Sequence, residues 1–416
     1  MEAILNVLSS PQKSYPSVHV AGTNGKGSVC AFLSSMLQSQ GYRVGRYTSP
    51  HLVDLNERFS LNNDPISDAE LDSLILFVRD YVESGFELSY FEYTTVIAME
   101  WFRRKAVDIA IFETGLGGRL DATNVITPLV SIITNISFDH QGYLGNSLSE
   151  IAFEKAGIIK DNCPVVIGNI KGEALKTISE KAVSSQSLCL ELGRDFSFVS
   201  RSEAEMAFHG RFVELDNLKP ALFGRHQHEN CAIAIAAIEE ISGASCTMLN
   251  ISDFAIKTGV ESAHWPCRCE FLKNESSGQV VLLDGAHNED GIRVLEEVLK
   301  KLLSGFTGET GLIFACSSEG NDKDYAAMFS RLRGFFKRFC LTEPVGPRKP
   351  VTVEMWQGKQ QVTHGGQAEK DWERALAVIL AEVGPGGFIC VSGSLYLIGH
   401  VRKKLLVSGF MPFCPK

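Results

Sequence analysis

Short apolar runs alternate along the chain with stretches in which apolar residues recur every three or four positions. In the first half, the runs at residues 18–21, 43–48, 107–113, 129–136 and 164–167 are predicted strands. Their near-continuous apolar character leaves no wetted face, as expected of a parallel sheet covered on both sides. Helical spacing fills the gaps between them, as in Val29, Phe32, Leu33, Met36 and Leu37. A second series at 280–284, 312–316, 339–342 and 388–392 predicts a second α/β unit. Between the series, His264-Trp-Pro-Cys-Arg268 breaks a helical pattern that begins at Ser252, and proline biases its predecessor toward extended backbone. The expected organisation is an N-terminal domain over residues 1–263, a linker at 264–268 and a smaller domain over 269–416. Residues 171–217 show no clear period, and there is no internal repeat or long low-complexity tract.

The first predicted strand runs into Val18-His-Val-Ala-Gly-Thr-Asn-Gly-Lys-Gly-Ser28. Gly22, Gly25 and Gly27 allow a tight turn whose N–H groups, with the following helix N-terminus, can face phosphate oxygens, and Lys26 adds a positive charge. Triphosphate binding is the expectation; a purely structural glycine turn is the alternative. Against the pattern G-x-x-x-x-G-K-[ST], Val20 stands in place of the first glycine and Gly27 directly follows the lysine, so the metal-binding hydroxyl is displaced.

With 416 residues and 44% hydrophobic content, the chain can bury two cores. Its net charge of −9 and lack of a Lys/Arg-rich tract argue against nucleic-acid or anionic-membrane partners and for small-molecule substrates. No targeting segment or membrane-spanning stretch is evident, which leads to an expected cytoplasmic location. The 11 cysteines are scattered, and Cys267 and Cys269 lack the C-x-x-C spacing of zinc or redox motifs. Cys163, Cys316 and Cys390 lie in apolar runs, where a thiol acts as a small hydrophobe. No cysteine nucleophile is expected.

Polar residues gather where the predicted strands end, the ligand-binding edge of an open α/β sheet. Ser49-Pro-His-Leu52, Glu113-Thr-Gly-Leu-Gly-Gly-Arg-Leu-Asp121 and Thr134-Asn-Ile-Ser-Phe-Asp-His140 each follow a strand. Ser49, Glu113 and His140 can together hold magnesium, although a hard cation prefers oxygen ligands and a satisfied structural histidine is the alternative for His140. Lys155 follows the capping box Ser147-Leu-Ser-Glu150; read from the residues alone, it forms an ion pair with Glu154 or Asp139. Phe91, Tyr93, Ile97 and Trp101 form the core stripe of a helix that starts near Phe91.

The ordered motifs HVAGTNGKGS, TSPHL with NERF, FEYTT, ETGLGGRLDATN, SFDHQGYLG, EKAGIIK, HQHEN, DGAHN, DKDY and SGSLYL span most of the chain. In these the sequence resembles the folylpolyglutamate synthase/dihydrofolate synthase family of the Mur ligase superfamily, in particular its bifunctional bacterial members. The resemblance implies an α/β fold with a P-loop-containing N-terminal domain and a smaller Rossmann-like C-terminal domain. It places ATP against Thr23, Asn24, Gly25, Lys26, Gly27 and Ser28, with Asn230, Arg268 and Asp284 reaching it from the other side of a domain interface that must close. It implies two magnesium ions held by Ser49, Glu113, His140 and Lys155 as a carbamate, and a monovalent cation such as K+. The pterin-bearing substrate falls near Ser89, Tyr90, Phe91, Glu92, Leu120, Asp121 and Ala122.

The implied reaction is ATP-dependent amide formation with L-glutamate through an acyl phosphate, by a monomer. Lys26, Lys155 and His287 are the implied catalytic residues, with capping of the following helix as the alternative role for His287. The other readings are polyglutamylation alone, ligation of an amino acid to another carboxylate, and a P-loop ATPase or switch with a degraded acceptor pocket. Three positions depart from the family pattern. The start at Met1 lacks the additional N-terminal helical segment usual in the family, which leaves two readings open: a misassigned start, or a reduced folate site. Cys267 replaces a small residue before the linker arginine, and Glu289 replaces the proline after DGAHN.

Overall fold

A computed structural model describes residues 1–243, 249–317, 324–358 and 365–415. The chain divides into two compact units between Trp265 and Pro266, with Asp139–Tyr143 and Leu222–Gly224 grouping with the second. Of the motif at 322–325, Asp322 and Lys323 lie outside the described residues; Asp324 caps the helix Tyr325–Arg333 by accepting from the Ala327 N–H.

In the first unit, the main sheet comprises β1 (Ser17–Ala21), β2 (Val44–Tyr47), β3 (Phe59–Leu61), β4 (Asp64–Pro65), β5 (Ile109–Glu113), β6 (Val130–Ile133), β7 (Val165–Ile167) and β8 (Cys189–Glu191). Their order is β4-β3-β2-β5-β1-β6-β7-β8, parallel from β2 to β8 and antiparallel only at the β3 and β4 edge. Every residue of β1, β2, β5, β6 and β7 is buried, which is why these strands read as continuous apolar runs rather than alternating ones. The fourth predicted strand ends at Ile133 instead of 136, because Thr134, Asn135 and Ser137 turn to bond the loop after β1.

The unassigned stretch holds the helix Gly172–Ser184, then β8 and a small antiparallel sheet of β9 (Ser197–Ser200), β10 (Met206–His209) and β11 (Glu214–Leu218). A bulge between Met206 and Phe208 breaks the two-residue alternation by which such strands are recognised.

The second unit carries β12 (Glu270–Asn274), β13 (Val280–Leu283), β14 (Thr310–Phe314), β15 (Arg338–Leu341), β16 (Gln367–Ala368), β17 (Phe388–Ser392) and β18 (Phe410–Phe413). They lie in the order β16-β15-β14-β17-β13-β12-β18, antiparallel only where β12 meets β13 and β18. Phe314, Phe329, Phe339 and Trp356 pack edge-on or tilted on one face of this sheet.

All described cysteines are free thiols; Cys163 is only half-buried, in the turn before β7, and Cys246 lies outside the described residues. Among the described residues, no helix is long and apolar enough to cross a membrane.

Candidate active site

The glycine-rich loop leaves β1 at Gly22 and ends at Gly25, whose left-handed backbone caps the helix Lys26–Ser39. Residues after β6 hold it from below. The Thr23 N–H donates to the Asn135 carbonyl at 3.1 Å, the Asn24 N–H to Asn135 Oδ1 at 2.8 Å, and Thr134 Oγ1 to the Asn24 carbonyl at 2.5 Å. Thr23 Oγ1 exchanges bonds with the backbone of Ser137 at 3.0 and 3.1 Å. There is no room for larger residues, since a Cβ on Gly22 would lie 1.9 Å from Thr134 Oγ1.

Lys26 folds back over the loop, its Nζ donating to the carbonyls of Gly22 at 3.0 Å and Thr23 at 3.2 Å. Asn230 also belongs to this unit. It lies on the helix Arg225–Gly243, where its Oδ1 would be 2.5 Å from a Cβ on Gly25. It therefore approaches the loop from the loop's own unit, whereas Arg268 and Asp284, expected beside it, lie in the second. The bracing residues Thr134, Asn135 and Ser137 were visible in the sequence only as a polar run after a strand.

Beside the loop, β5 ends in Glu113, 4% exposed, whose Oε2 accepts from the Ser49 N–H at 3.1 Å across a turn with a cis Ser49–Pro50 peptide. Ser49 and Glu113 are thus brought together. Lys155, on the helix Leu148–Ala156, is buried and donates from Nζ to the Gly22 carbonyl at 2.9 Å. The anticipated capping box of Ser147 and Glu150 starts that helix. Glu154 points instead to Arg119 at 2.9 Å, because successive helical residues face directions about 100° apart. His140 lies in the segment that groups with the second unit, its Nε2 4.0 Å from Asp139 Oδ1. Among the described residues, no three His, Cys, Asp or Glu side chains gather to hold a metal ion.

The expected pterin-side residues divide by role. Ser89 and Glu92 form a reciprocal capping box on the helix Tyr90–Arg104, Ser89 Oγ accepting from the Glu92 N–H and Glu92 Oε2 from the Ser89 N–H at 2.8 Å. Their polar atoms hold the helix start. Phe91 stacks at 5.8 Å on Tyr47 and covers Gly115. Tyr90 and Leu120 are open to solvent at 59% and 79% exposure, while Ala122 is buried.

Asp121 is a clamp. Its Oδ2 accepts from the N–H groups of Gly115 at 2.8 Å and Leu116 at 2.9 Å, and its Oδ1 from Thr123 N–H at 3.0 Å and Thr123 Oγ1 at 2.5 Å. Burial raises its pKa, while these bonds act in the opposite direction.

The Thr123 hydroxyl also meets His19 Nε2 at 2.8 Å. Because that hydroxyl donates to Asp121, Nε2–H is the donor to it. Burial, with a smaller contribution from Lys160, lowers the His19 pKa from 6.5 to about 3. The folded protein keeps this ring neutral while the unfolded chain protonates it near 6.5, so the contribution to stability present at neutral pH is lost as pH falls below that value. Between pH 7 and pH 5 this amounts to about 2 kcal/mol. Urea unfolding of wild type and His19→Gln at both pH values checks it; the variant should have the shallower pH dependence by that amount.

In the second unit, β13 delivers Asp284, 8% exposed. Its Oδ2 accepts from the Cys269 N–H at 2.9 Å and thiol at 3.3 Å, and its Oδ1 from the Ala286 N–H at 2.9 Å. Arg268 stands between two left-handed residues, Cys267 and Cys269, and packs on Gly285, where a Cβ would lie 2.0 Å from its Nη1. Arg268 thus packs on the residue after Asp284, and Asp284 bonds the residue after Arg268. Burial pushes the thiols of Cys267, Cys269 and Cys390 well up, so these sulfurs stay protonated. His287 Nδ1 meets the Gly285 carbonyl at 2.8 Å. The cap of the helix Glu289–Leu302 is Asn288 and not His287: Asn288 Oδ1 accepts from the Gly291 N–H, and its Nδ2 donates to Asp139 Oδ2 at 3.0 Å.

Residues 20–238 match the Mur ligase middle domain and residues 267–395 the Mur ligase glutamate ligase domain. The chain is 36% identical to the folylpolyglutamate synthase of Lacticaseibacillus casei, over 97% of this chain and 93% of that one. It is 35% identical to the dihydrofolate synthase/folylpolyglutamate synthase of Bacillus subtilis (strain 168), over 97% and 94%. A solved FPGS-AMPPCP-folate complex superposes with a TM-score of 0.82 at 34% identity, covering 97% of this chain and 94% of that one. With both Mur ligase domains matched and these identities extending over nearly the whole chain, the chain belongs to the folylpolyglutamate synthase/dihydrofolate synthase family of the Mur ligases.

Proposed function

We propose that the protein is an ATP-dependent amide ligase that joins L-glutamate to dihydropteroate and to the glutamate tail of reduced folates. The observation that carries this reading is the convergence of two lysines, Lys26 and Lys155, on the Gly22 carbonyl of a loop whose glycines and helix N-terminus suit a polyphosphate. The likeness to folylpolyglutamate synthases, one solved with AMPPCP and folate, supports the substrates.

In the reaction, an oxygen of the acceptor carboxylate attacks the γ-phosphorus and the bond to the β-phosphate oxygen breaks, giving an acyl phosphate and ADP. The glutamate amine then forms the C–N bond, phosphate departs with the C–O electron pair, and the amine loses a proton. No protein nucleophile enters. Lys26, whose present contacts are two neutral carbonyls, can exchange them for phosphate oxygens, and the N–H groups at the N-terminus of the helix Lys26–Ser39 orient the chain of phosphates.

Ser49 and Glu113 fit magnesium: a buried carboxylate and a neighbouring hydroxyl are hard oxygen donors, and this ion keeps water and phosphate oxygens for its remaining positions. When bound, magnesium would neutralise charge on the phosphates. The reading extends to two such ions, a monovalent cation such as K+, and a monomeric cytoplasmic enzyme. The net charge of −9 without a basic tract supports small molecules over nucleic acid or membrane as partners.

The test is phosphate release from MgATP and L-glutamate with dihydropteroate, with tetrahydrofolate, or with neither. Release with both acceptors is expected. Release with tetrahydrofolate alone restricts the enzyme to polyglutamylation, and release independent of acceptor overturns the ligase reading in favour of an ATPase.

A further inference from the structure

The displaced hydroxyl of the phosphate loop has a cause in the first unit. Gly27, the residue after Lys26, lies against the indole of Trp265: a Cβ there would be 2.6 Å from Trp265 Nε1 and 2.7 Å from Cε2 and Cζ2. The opposing group is a ring, which cannot step aside as the tip of a flexible chain can. A serine or threonine at 27, as the common phosphate-loop pattern asks, therefore cannot coexist with this tryptophan.

Trp265 is itself held by Arg46. The guanidinium carbon lies 4.9 Å from the ring centroid, and Arg46 is only 6% exposed. Its Nη1 donates to Asn63 Oδ1 at 2.7 Å, whereas its Nε is buried without a hydrogen-bond partner. Asn63 in turn donates from Nδ2 to Gln38 Oε1 at 2.8 Å. The helix Lys26–Ser39 is thus gripped near both ends, through Asn63 at Gln38 and through the indole at Gly27. The attraction between the guanidinium and the ring face helps hold the indole in place.

We propose that Trp265 is a positioning residue for nucleotide binding, with Arg46 as its support: seated on Gly27, the indole fixes the first turn of the helix whose N–H groups meet the phosphates. The proposal rests on the reading of the loop as an ATP site. It also gives a role to the last residue of the first unit, which stands three positions before Arg268 in the linker.

The test uses the full-length enzyme with Trp265→Ala, Trp265→Phe, Gly27→Ala and the double variant Gly27→Ala/Trp265→Ala, each shown to be folded by thermal melting. Trp265→Ala should raise KM for ATP roughly tenfold and leave KM for glutamate within about twofold, a split that general destabilisation does not produce. Trp265→Phe, which keeps a ring over Gly27, should have a KM for ATP close to that of the wild type. Gly27→Ala should impair ATP binding in the wild-type background and cost far less where the indole has been removed, because the clash is then gone. Unchanged KM for ATP in Trp265→Ala, or independent multiplication of the two single effects, would overturn the proposal. Failure of the wild type to bind ATP would instead overturn the nucleotide reading itself.

Discussion

Replacing Lys155 with alanine should lower kcat by about a thousandfold or more, since phosphoryl transfer relies on fixed charges at the phosphates. The fold should survive. Lys155 is buried, but the Gly22 carbonyl it serves also accepts from Lys26 at 3.0 Å, so truncation does not orphan that oxygen. The variant also separates two chemical states of the side chain. An unmodified lysine is a cation beside the loop, and small amines such as methylamine should then restore activity to Lys155→Ala. A carbamate keeps one N–H on Nζ, enough for the Gly22 contact, and presents two anionic oxygens; formate or acetate should then restore activity instead. Carbamylation of Lys155 is our proposal, and it predicts rescue by the acids. Near-normal turnover of the alanine variant would sink it.

A second large effect is expected at Asp121, in stability and in acceptor binding together. Its two oxygens accept from four donors: the backbone N–H groups of Gly115, Leu116 and Thr123 and the Thr123 hydroxyl. Asparagine has nearly the same shape but replaces one acceptor with an N–H₂. In either orientation that group faces backbone donors, so Asp121→Asn should lose about 3 kcal/mol or more of unfolding free energy in urea. Phe91 covers the Gly115 backbone that Asp121 holds, while its neighbour Tyr90 and the neighbour of Asp121, Leu120, are exposed. KM for the acceptor should therefore rise more than tenfold while KM for ATP changes about twofold or less. A stable variant with normal acceptor KM would show that Asp121 is neither the clamp nor the neighbour of the acceptor.

Local patterns made the phosphate loop, the apolar strands and the capping boxes readable, because each depends on residues only a few positions apart. The box of Ser147 and Glu150 is readable from its spacing; the same spacing in Ser89 and Glu92 carries the same signal, although the resemblance assigns those residues to substrate. His287 and Asn288 illustrate a limit of one residue, since the choice of cap depends on which side chain reaches the Gly291 N–H. The stretch 171–217 was opaque for a different reason: its strands are short, partly exposed and interrupted by a bulge, so no period survives in the sequence.

The sequence by itself determined the alternating α/β architecture, the glycine loop with Lys26, and a set of ordered motifs specific enough to reveal the family. Burial on both faces forces continuous apolar strands, and a tight anion-binding turn forces glycines, so both leave a contiguous trace. The tertiary structure alone decided which polar atoms are engaged and which remain available. It put Asn230 against Gly25, joined His19 to Asp121 through Thr123, and set the Trp265 indole on Gly27. These pairs are separated by about a hundred to more than two hundred residues, and nothing in a local window couples them: close packing and the need to satisfy buried hydrogen-bonding groups act only once the chain has brought them together.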